Sequence, residues 1–263
     1  MKYLSNNMIN KSIERSFWVI LLIIVWAVIG WIGKFSPLVL PLPWQVASAL
    51  FKGFVNGELG KQIVVSLILV FAGIFVGTLV AFSLLFLAVI SKVGESFVTT
   101  MTAVFYPLAG VALLPVIILW FGTGVVSITF IIIHSVLWPM VTNILAGYRS
   151  IPETYKIIGR NYELGKYKTF FLITIPGEFP YVLAGLKISW ARAWRALISA
   201  EMIFGAVFGS GGLGWFIFSK RVFMDTPGMF AGIIVVILIG VVVEDLFFGV
   251  LENLTVRRWG MSL

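Results

Sequence analysis

The chain contains no cysteine, so disulfides, thiolate zinc sites and thiol nucleophiles are excluded. His134 is its only histidine, and with 11 acidic residues scattered along the chain a multi-ligand metal centre is not expected. Charge is scarce: 11% of residues are charged, against about 25% in soluble domains, and 60% are hydrophobic, against about 45–50%. A phosphate loop is missing as well. GELGK at residues 57–61 lacks the eight-residue spacing and the hydroxyl residue after lysine, so no Walker A pattern occurs. One histidine and dispersed acids do not make a catalytic constellation, and no catalytic residue is expected.

What is present is apolar sequence in long runs. A mean hydropathy of +1.06 places the chain in a bilayer. Its formal charge of +8 would suit nucleic acid only if the basic residues gathered on a soluble face. They lie between apolar runs instead, where they set orientation, so no nucleic-acid partner is expected. Six spans are read at about 16–32, 62–90, 97–121, 125–146, 181–204 and 227–251, flanked by polar tails at 1–15 and 252–263. No small-residue cleavage site follows the first run; Lys34, Phe35 and Ser36 do, which marks a retained anchor. The expected fold is an all-α membrane protein with six transmembrane helices. Six crossings put both termini on one side. Lys2, Lys11, Arg15, Lys92, the central polar segment, Arg257 and Arg258 fall on that side, which is expected to be cytoplasmic. Lys34, Lys52, Lys61, Lys220 and Arg221 fall on the other. In the second span Gly73 and Gly77 form a small-xxx-small pair, suited to close helix packing.

The fifth span holds Lys187, Arg192, Arg195 and Glu201, with Trp190 and Trp194 among them. Each ionisable group at bilayer depth costs at least about 2.5–3.5 kcal/mol, so part of this helix faces protein or water. Arg192 and Arg195 share a face at i, i+3. They line a path that admits anions, or they pair with Glu244 and Asp245 of the sixth span. Glu201 points elsewhere and needs a partner on another helix, with His134 or a basic residue of a second subunit as candidates. His134 reads as a packed, hydrogen-bonded residue or as a proton relay. Prolines and glycines in the third and fourth spans break the backbone ladder, which is tolerated where a cavity is lined. The candidates for a water-filled path are therefore His134, Trp190, Arg192, Trp194, Arg195 and Glu201.

The longest polar run spans residues 147–180. Tyr155, Ile158, Tyr162 and Leu164 recur near helical spacing, Pro152 suits a first turn and Ser150 an N-cap. The run is an amphipathic helix offered to a partner, or a solvated basic loop obeying the positive-inside rule.

This run resembles the cytoplasmic "EAA" loop of permease subunits in bacterial ABC importers, most closely the nitrate/sulfonate/taurine branch. The resemblance covers about residues 40–251. Its strongest parts are PLAGVALLPVIILWFGTG (107–124), the central segment through IPGEFPYVLAGL (175–186), AWRALISAEM (193–202) and SGGLGWFI (210–217), and LPLPWQVASAL (40–50) fits the outward segment that follows the first span in that branch. With the family's distal proline on Pro176 and no gap, its Glu-Ala-Ala triplet falls on Ile157, Ile158 and Gly159, and its glycine on Glu163. ETYKIIG, from Glu153 to Gly159, fits the spacing only with an insertion. The motif's acidic residue is thus missing here.

The resemblance implies a type I ABC importer permease fold, in the inner membrane. It implies a second permease copy, in a homodimer, two cytoplasmic ATPase subunits that bind ATP and Mg, and an extracytoplasmic binding protein that delivers cargo. No cofactor is expected in this chain, and ATP hydrolysis belongs to the partner. Residues 152–168 become the coupling helix, with Glu153, Tyr155, Ile158, Gly159, Arg160, Tyr162, Glu163, Leu164 and Gly165 at the ATPase. The branch and the two arginines favour a small anion such as a sulfonate or nitrate as cargo. A heterocyclic or aromatic vitamin precursor is the alternative. An ATP-independent secondary transporter would show two repeated halves, and no internal repeat is seen.

Overall fold

The computed structural model describes residues 2–206 and 211–256; side chains at 2–13, 156, 160 and 166 are not among those described. Arg257, Arg258 and Ser210 of the SGGLGWFI motif lie outside the described residues. The described chain is helical: α1 (Lys2–Ile32), α2 (Pro43–Val55), α3 (Glu58–Ile90), α4 (Lys92–Phe105), α5 (Leu114–Phe121), α6 (Val125–Ser150), α7 (Glu153–Asn161), α8 (Lys166–Thr169), α9 (Ile175–Gly177), α10 (Phe179–Phe204), α11 (Leu213–Val222), α12 (Thr226–Val241) and α13 (Phe248–Leu254). A 3₁₀ turn, Gly110–Leu113, leads into α5, and π turns at Phe170–Thr174 and Val242–Phe247 join α8 to α9 and α12 to α13. There is no strand among the described residues. Four helices are long and apolar enough to cross a membrane, or up to six if each of two bent pairs is one span.

The chain forms two compact units, residues 61–215 with 236–263 and residues 1–60 with 216–235. Helix packing in the larger unit decides how the bent pairs count. On α3, the glycine pair meets α6: no Cβ fits at Gly73 because of Ile132, and a Cβ at Gly77 would lie 2.9 Å from Val136. Residue numbers rise together along the two helices, so they run parallel. Parallel spans are separated by an odd number of crossings, which makes the α4–α5 pair one crossing between them. Pro107 supplies no N–H for the helix ladder and Pro115 sits in the first turn of α5, so the pair is bent by 87°. The parallel course of α3 and α6 thus favours counting Lys92–Phe105 with Gly110–Phe121 as one bent span.

Helices α6 and α10 run the other way. Ser189 Oγ donates to the Val136 carbonyl at 3.1 Å, and a Cβ at Gly185 would lie 2.9 Å from Met140 Sδ. Further on, a Cβ at Gly147 would lie 2.9 Å from Tyr181 Cβ. Numbers rise on one helix as they fall on the other. Antiparallel spans need an even number of crossings between them, and the segment 151–178 crosses none. It leaves and re-enters on one face. Buried Leu85, Val98, Val141, Ile144 and Phe170 pack together at that end, so the segment is anchored to the helices it connects.

In the smaller unit, α1 keeps an exposed apolar surface from Phe17 to Ile32, as a lipid-facing anchor would. Trp26 stacks on Phe230 at 5.8 Å. Pro43 opens α2, and Gln45 Oε1 accepts the Leu42 N–H at 2.9 Å. A cavity of about 610 Å³ holds Lys220, whose ammonium meets Glu58 at 3.3 Å, Asp225 at 3.5 Å and the Phe216 ring at 5.1 Å.

Candidate functional site

Two places carry the candidate residues, one at bilayer depth and one in the polar segment. At bilayer depth a cavity of about 560 Å³ opens where the break between α4 and α5 faces α6 and α10. The break contributes Tyr106 to Val111, α6 contributes His134, Ser135, Trp138 and Pro139, and α10 contributes Arg192, Arg195, Ala196 and Ser199. No carboxylate lines it among the described residues. An unwound backbone at such depth is tolerated where it lines a cavity, as this break does. At Gly110 an added Cβ would lie 2.7 Å from Ser135 Oγ, so the break lies close against α6 there.

The Arg192 guanidinium lies over the Tyr106 ring, 4.5 Å from its centroid. Arg195 is exposed, and its Nε donates to the Ala191 carbonyl at 2.9 Å. The structure does not show the expected pairing with Glu244 and Asp245. Those acids sit exposed in the Val242–Phe247 turn, and among the described residues neither arginine forms an ion pair with them. His134 is packed but not hydrogen-bonded. It is 9% exposed, neither ring nitrogen has a partner among the described residues, and the Trp138 Nε1 is likewise unpartnered. Both rings sit with Phe105, which stacks on Trp138 at 5.1 Å and meets His134 edge-on at 6.4 Å.

Three expected path residues are placed elsewhere. Trp190 and Trp194 lie one turn apart and stack on each other at 5.4 Å, both nearly fully buried. Trp190 also meets Phe71 at 5.7 Å, and Trp194 Nε1 donates to the Val236 carbonyl at 3.2 Å. They join helices and are not among the residues that line this cavity. Glu201 is fully buried, and its partner is neither His134 nor an arginine. Ser66 Oγ donates to its two oxygens at 2.7 and 2.9 Å, and the Gly214 N–H donates to Oε2 at 2.8 Å. Ser66 in turn accepts the Leu213 N–H at 2.9 Å. The carboxyl group and the serine thus satisfy the first N–H groups of α11, which have no partner within their helix. A Cβ at Gly214 would lie 2.7 Å from that of Glu201, which explains a glycine beside the carboxyl group. Sequence reasoning missed Ser66, Tyr106 and Trp138. A lone serine in an apolar run was the available signal for the first.

The polar segment is not one helix over 152–168. Helix α7 ends at Asn161 and α8 begins at Lys166. Ser150 is not an N-cap either: it is the last residue of α6, and its hydroxyl donates to the Gly147 carbonyl at 2.8 Å. The end of α7 is closed by a 2.9 Å bond from the Leu164 N–H to the Gly159 carbonyl, spanning a left-handed Glu163 at φ 51°. That is the Schellman arrangement, whose left-handed position ordinarily holds glycine. The ungapped family alignment puts its glycine at this residue, and the backbone supplies the reason. Replacing Glu163 with Gly should relieve about 1 kcal/mol of left-handed strain. A thermal melt of the purified protein should therefore shift upward, and that of the β-branched Glu163→Val downward.

One edge of α7 is anchored: buried Gly159 sits against Ile173, with a Cβ-to-Cδ1 distance of 3.0 Å if a side chain were added. The rest of its apolar surface is bare. Tyr155 is 55% exposed, Ile158 42% and Tyr162 77%, with Ile157 also exposed. Glu153 and Gly165 are exposed, Leu164 is half-buried, and Arg160 lies in the helix but outside the described side chains. At the far end of the segment Glu178 is fully buried, and neither of its oxygens has a partner among the described residues. Such a group is a cost carried by the elbow into α10.

Comparison with known proteins places these features together. The family described as "Binding-protein-dependent transport system inner membrane component" matches residues 70–255. The taurine transport system permease protein TauC of Escherichia coli is 26% identical over 228 residues, covering 85% of this chain and 82% of its own. The nitrate import permease protein NrtB of Synechocystis sp. is 28% identical over 255 residues, covering 94% and 90%. The bicarbonate transport system permease protein CmpB of Synechococcus elongatus is 24% identical over 176 residues, covering 67% and 63%.

Proposed function

The chain belongs to the binding-protein-dependent transport system inner membrane component family, the multi-pass permeases of ABC importers, and on that premise we propose a division of labour for it. Two copies pair around a central path for a small anion. A separate ATPase pair, which binds ATP and Mg, drives them from the cytoplasm, and an extracytoplasmic binding protein delivers the cargo. Both termini and the segment 147–180 face the cytoplasm, in line with the basic residues there. This chain performs no chemistry of its own and carries no cofactor.

The observation that supports the reading most is the bare face of α7. The exposed helix presents Tyr155, Ile157, Ile158 and Tyr162, and that face is left uncovered by the described residues. It sits in a segment that starts and ends on one side of the membrane, a reading supported by the antiparallel course of α6 and α10. Such a face fits the groove of a partner that moves it, in the helix-in-groove manner. Alternating access follows: ATP draws the ATPase pair together, the segments move with it, and α10, joined to the segment at Glu178, carries Arg192 and Arg195. The relatives' names specify taurine, nitrate and bicarbonate, each of which carries an oxyanion group; together with two arginines in a cavity that no carboxylate lines among the described residues, they support a cargo with an anionic group.

Co-purification tests the partnership. The wild-type permease is expected to retain the candidate ATPase, and disruption of residues 155–164 to lose it while the permease still elutes as a single species. Absence of any ATPase on the wild type would remove the importer reading.

A further inference from the structure

We propose that the permease itself binds its cargo, in the cavity walled by the α4–α5 break, α6 and α10, and that the ligand is an organic oxyanion. The proposal rests on the importer reading and adds to it a site of direct affinity within the membrane subunit, with a defined ligand class.

Three observations carry it. The charged part of the wall is wholly cationic: Arg192 and Arg195 line the cavity with no acid beside them among the described residues. Guanidinium groups match planar or tetrahedral oxyanions with paired N–H donors. Arg192 is held in place by the Tyr106 ring, while among the described residues Arg195 commits only its Nε to the backbone, leaving its terminal amino groups for a ligand. The neutral part of the wall has unspent hydrogen-bonding capacity. His134 is nine-tenths buried with both ring nitrogens unpartnered, and the Trp138 Nε1 is buried and unpartnered too. A neutral imidazole offers one donor and one acceptor, and an indole one donor. Buried polar groups left this way in the protein alone are those a ligand would satisfy.

The third observation separates organic from inorganic anions. Tyr106, Pro107, Leu108, Val111, Trp138 and Pro139 give the cavity aromatic and apolar walls. Nitrate or bicarbonate would meet the arginines and leave those walls against water. A sulfonate or carboxylate on an apolar body would place its charged end at Arg192 and Arg195 and its body between Tyr106 and Trp138. Small-molecule sites combine apolar walls with a few placed polar groups in this manner, typically within about 300–1,000 Å³, and the cavity measures about 560 Å³.

The test is calorimetric titration of the full-length permease, with its ATPase, in lipid nanodiscs and without binding protein. The probes are 4-toluenesulfonate, nitrate, bicarbonate and, as a cationic control, benzyltrimethylammonium. Saturable binding of toluenesulfonate is expected at least about tenfold tighter than that of either inorganic anion, with none of the cation. Arg192→Ala and Trp138→Phe should each weaken it about tenfold, and Arg192→Lys should recover part of the loss, because charge returns without the fork. Variants are compared only where elution and ATPase retention match the wild type. Toluenesulfonate binding no tighter than nitrate, or unchanged binding in Arg192→Ala and Trp138→Phe, overturns the site. If no ATPase accompanies the wild-type permease, the importer reading falls instead, whatever the titration reads.

Discussion

Ile158→Glu is expected to abolish ATPase retention and cut cargo uptake at least about tenfold, with little change in the permease's own melting. Ile158 is 42% exposed on α7, so in the isolated chain a carboxylate there remains solvated. Surface changes of that kind usually alter stability by no more than about 0.5 kcal/mol. Seated in a partner's groove, the same position behaves differently. Burying an isoleucine contributes about 1.5–3 kcal/mol, and a glutamate would forfeit that and add the cost of desolvating an unpaired charge. A loss of about 2.7 kcal/mol is a hundredfold in affinity. Tyr162→Glu, at 77% exposure on the same face, should behave alike. Ile151→Glu serves as the contrast: Ile151 is buried beside Gly177, so that change should destabilise the permease itself. Normal ATPase retention and uptake by Ile158→Glu would assign the coupling role to some other surface.

The residues that sequence could place are those whose chemistry is conspicuous in an apolar background. Arg192, Arg195 and His134 stood out as polar groups at bilayer depth, and the structure gathers all three around one cavity. Tyr106 and Trp138 did not stand out, because an aromatic residue in an apolar run has the same look whether it walls a cavity or packs a core. Trp190 and Trp194 illustrate the converse: their spacing of four predicts mutual contact, and stacking is what consumes them. Apolar length made the all-helical class legible, and Pro107 marked the weakness at which the α4–α5 pair bends. The 87° bend was not legible, since proline removes a bond without fixing the direction the chain takes afterwards. Within the polar segment, helical spacing ran on through Tyr162 and Leu164 and concealed the stop at Asn161. A glycine would have announced that stop. Glu163 holds the left-handed position in its place, and no periodicity marks such a residue.

Glu201→Ala should be the most damaging single change outside the coupling face, and its effect should be on folding before transport. Glu201 accepts from Ser66 and Gly214, so its removal strands a hydroxyl and a backbone N–H in a buried place. Each stranded group costs about 1–3 kcal/mol. Set against a total stability of about 5–15 kcal/mol, the loss of both should sharply reduce the folded yield. Glu201→Gln keeps a carbonyl acceptor and the shape of the side chain, and should retain most of the protein. Ser66→Ala should lie between them, because it removes one donor to Glu201 and the acceptor for the Leu213 N–H. The sharper test is the double variant. Ser66 and Glu201 share one network, so each single change already spoils part of the other's bonding. The combined loss, read as folded yield and melting temperature, should therefore fall well short of the sum of the two. Additive losses would mean that the serine and the carboxyl group act separately. The start of α11 would then be held by something other than this pair.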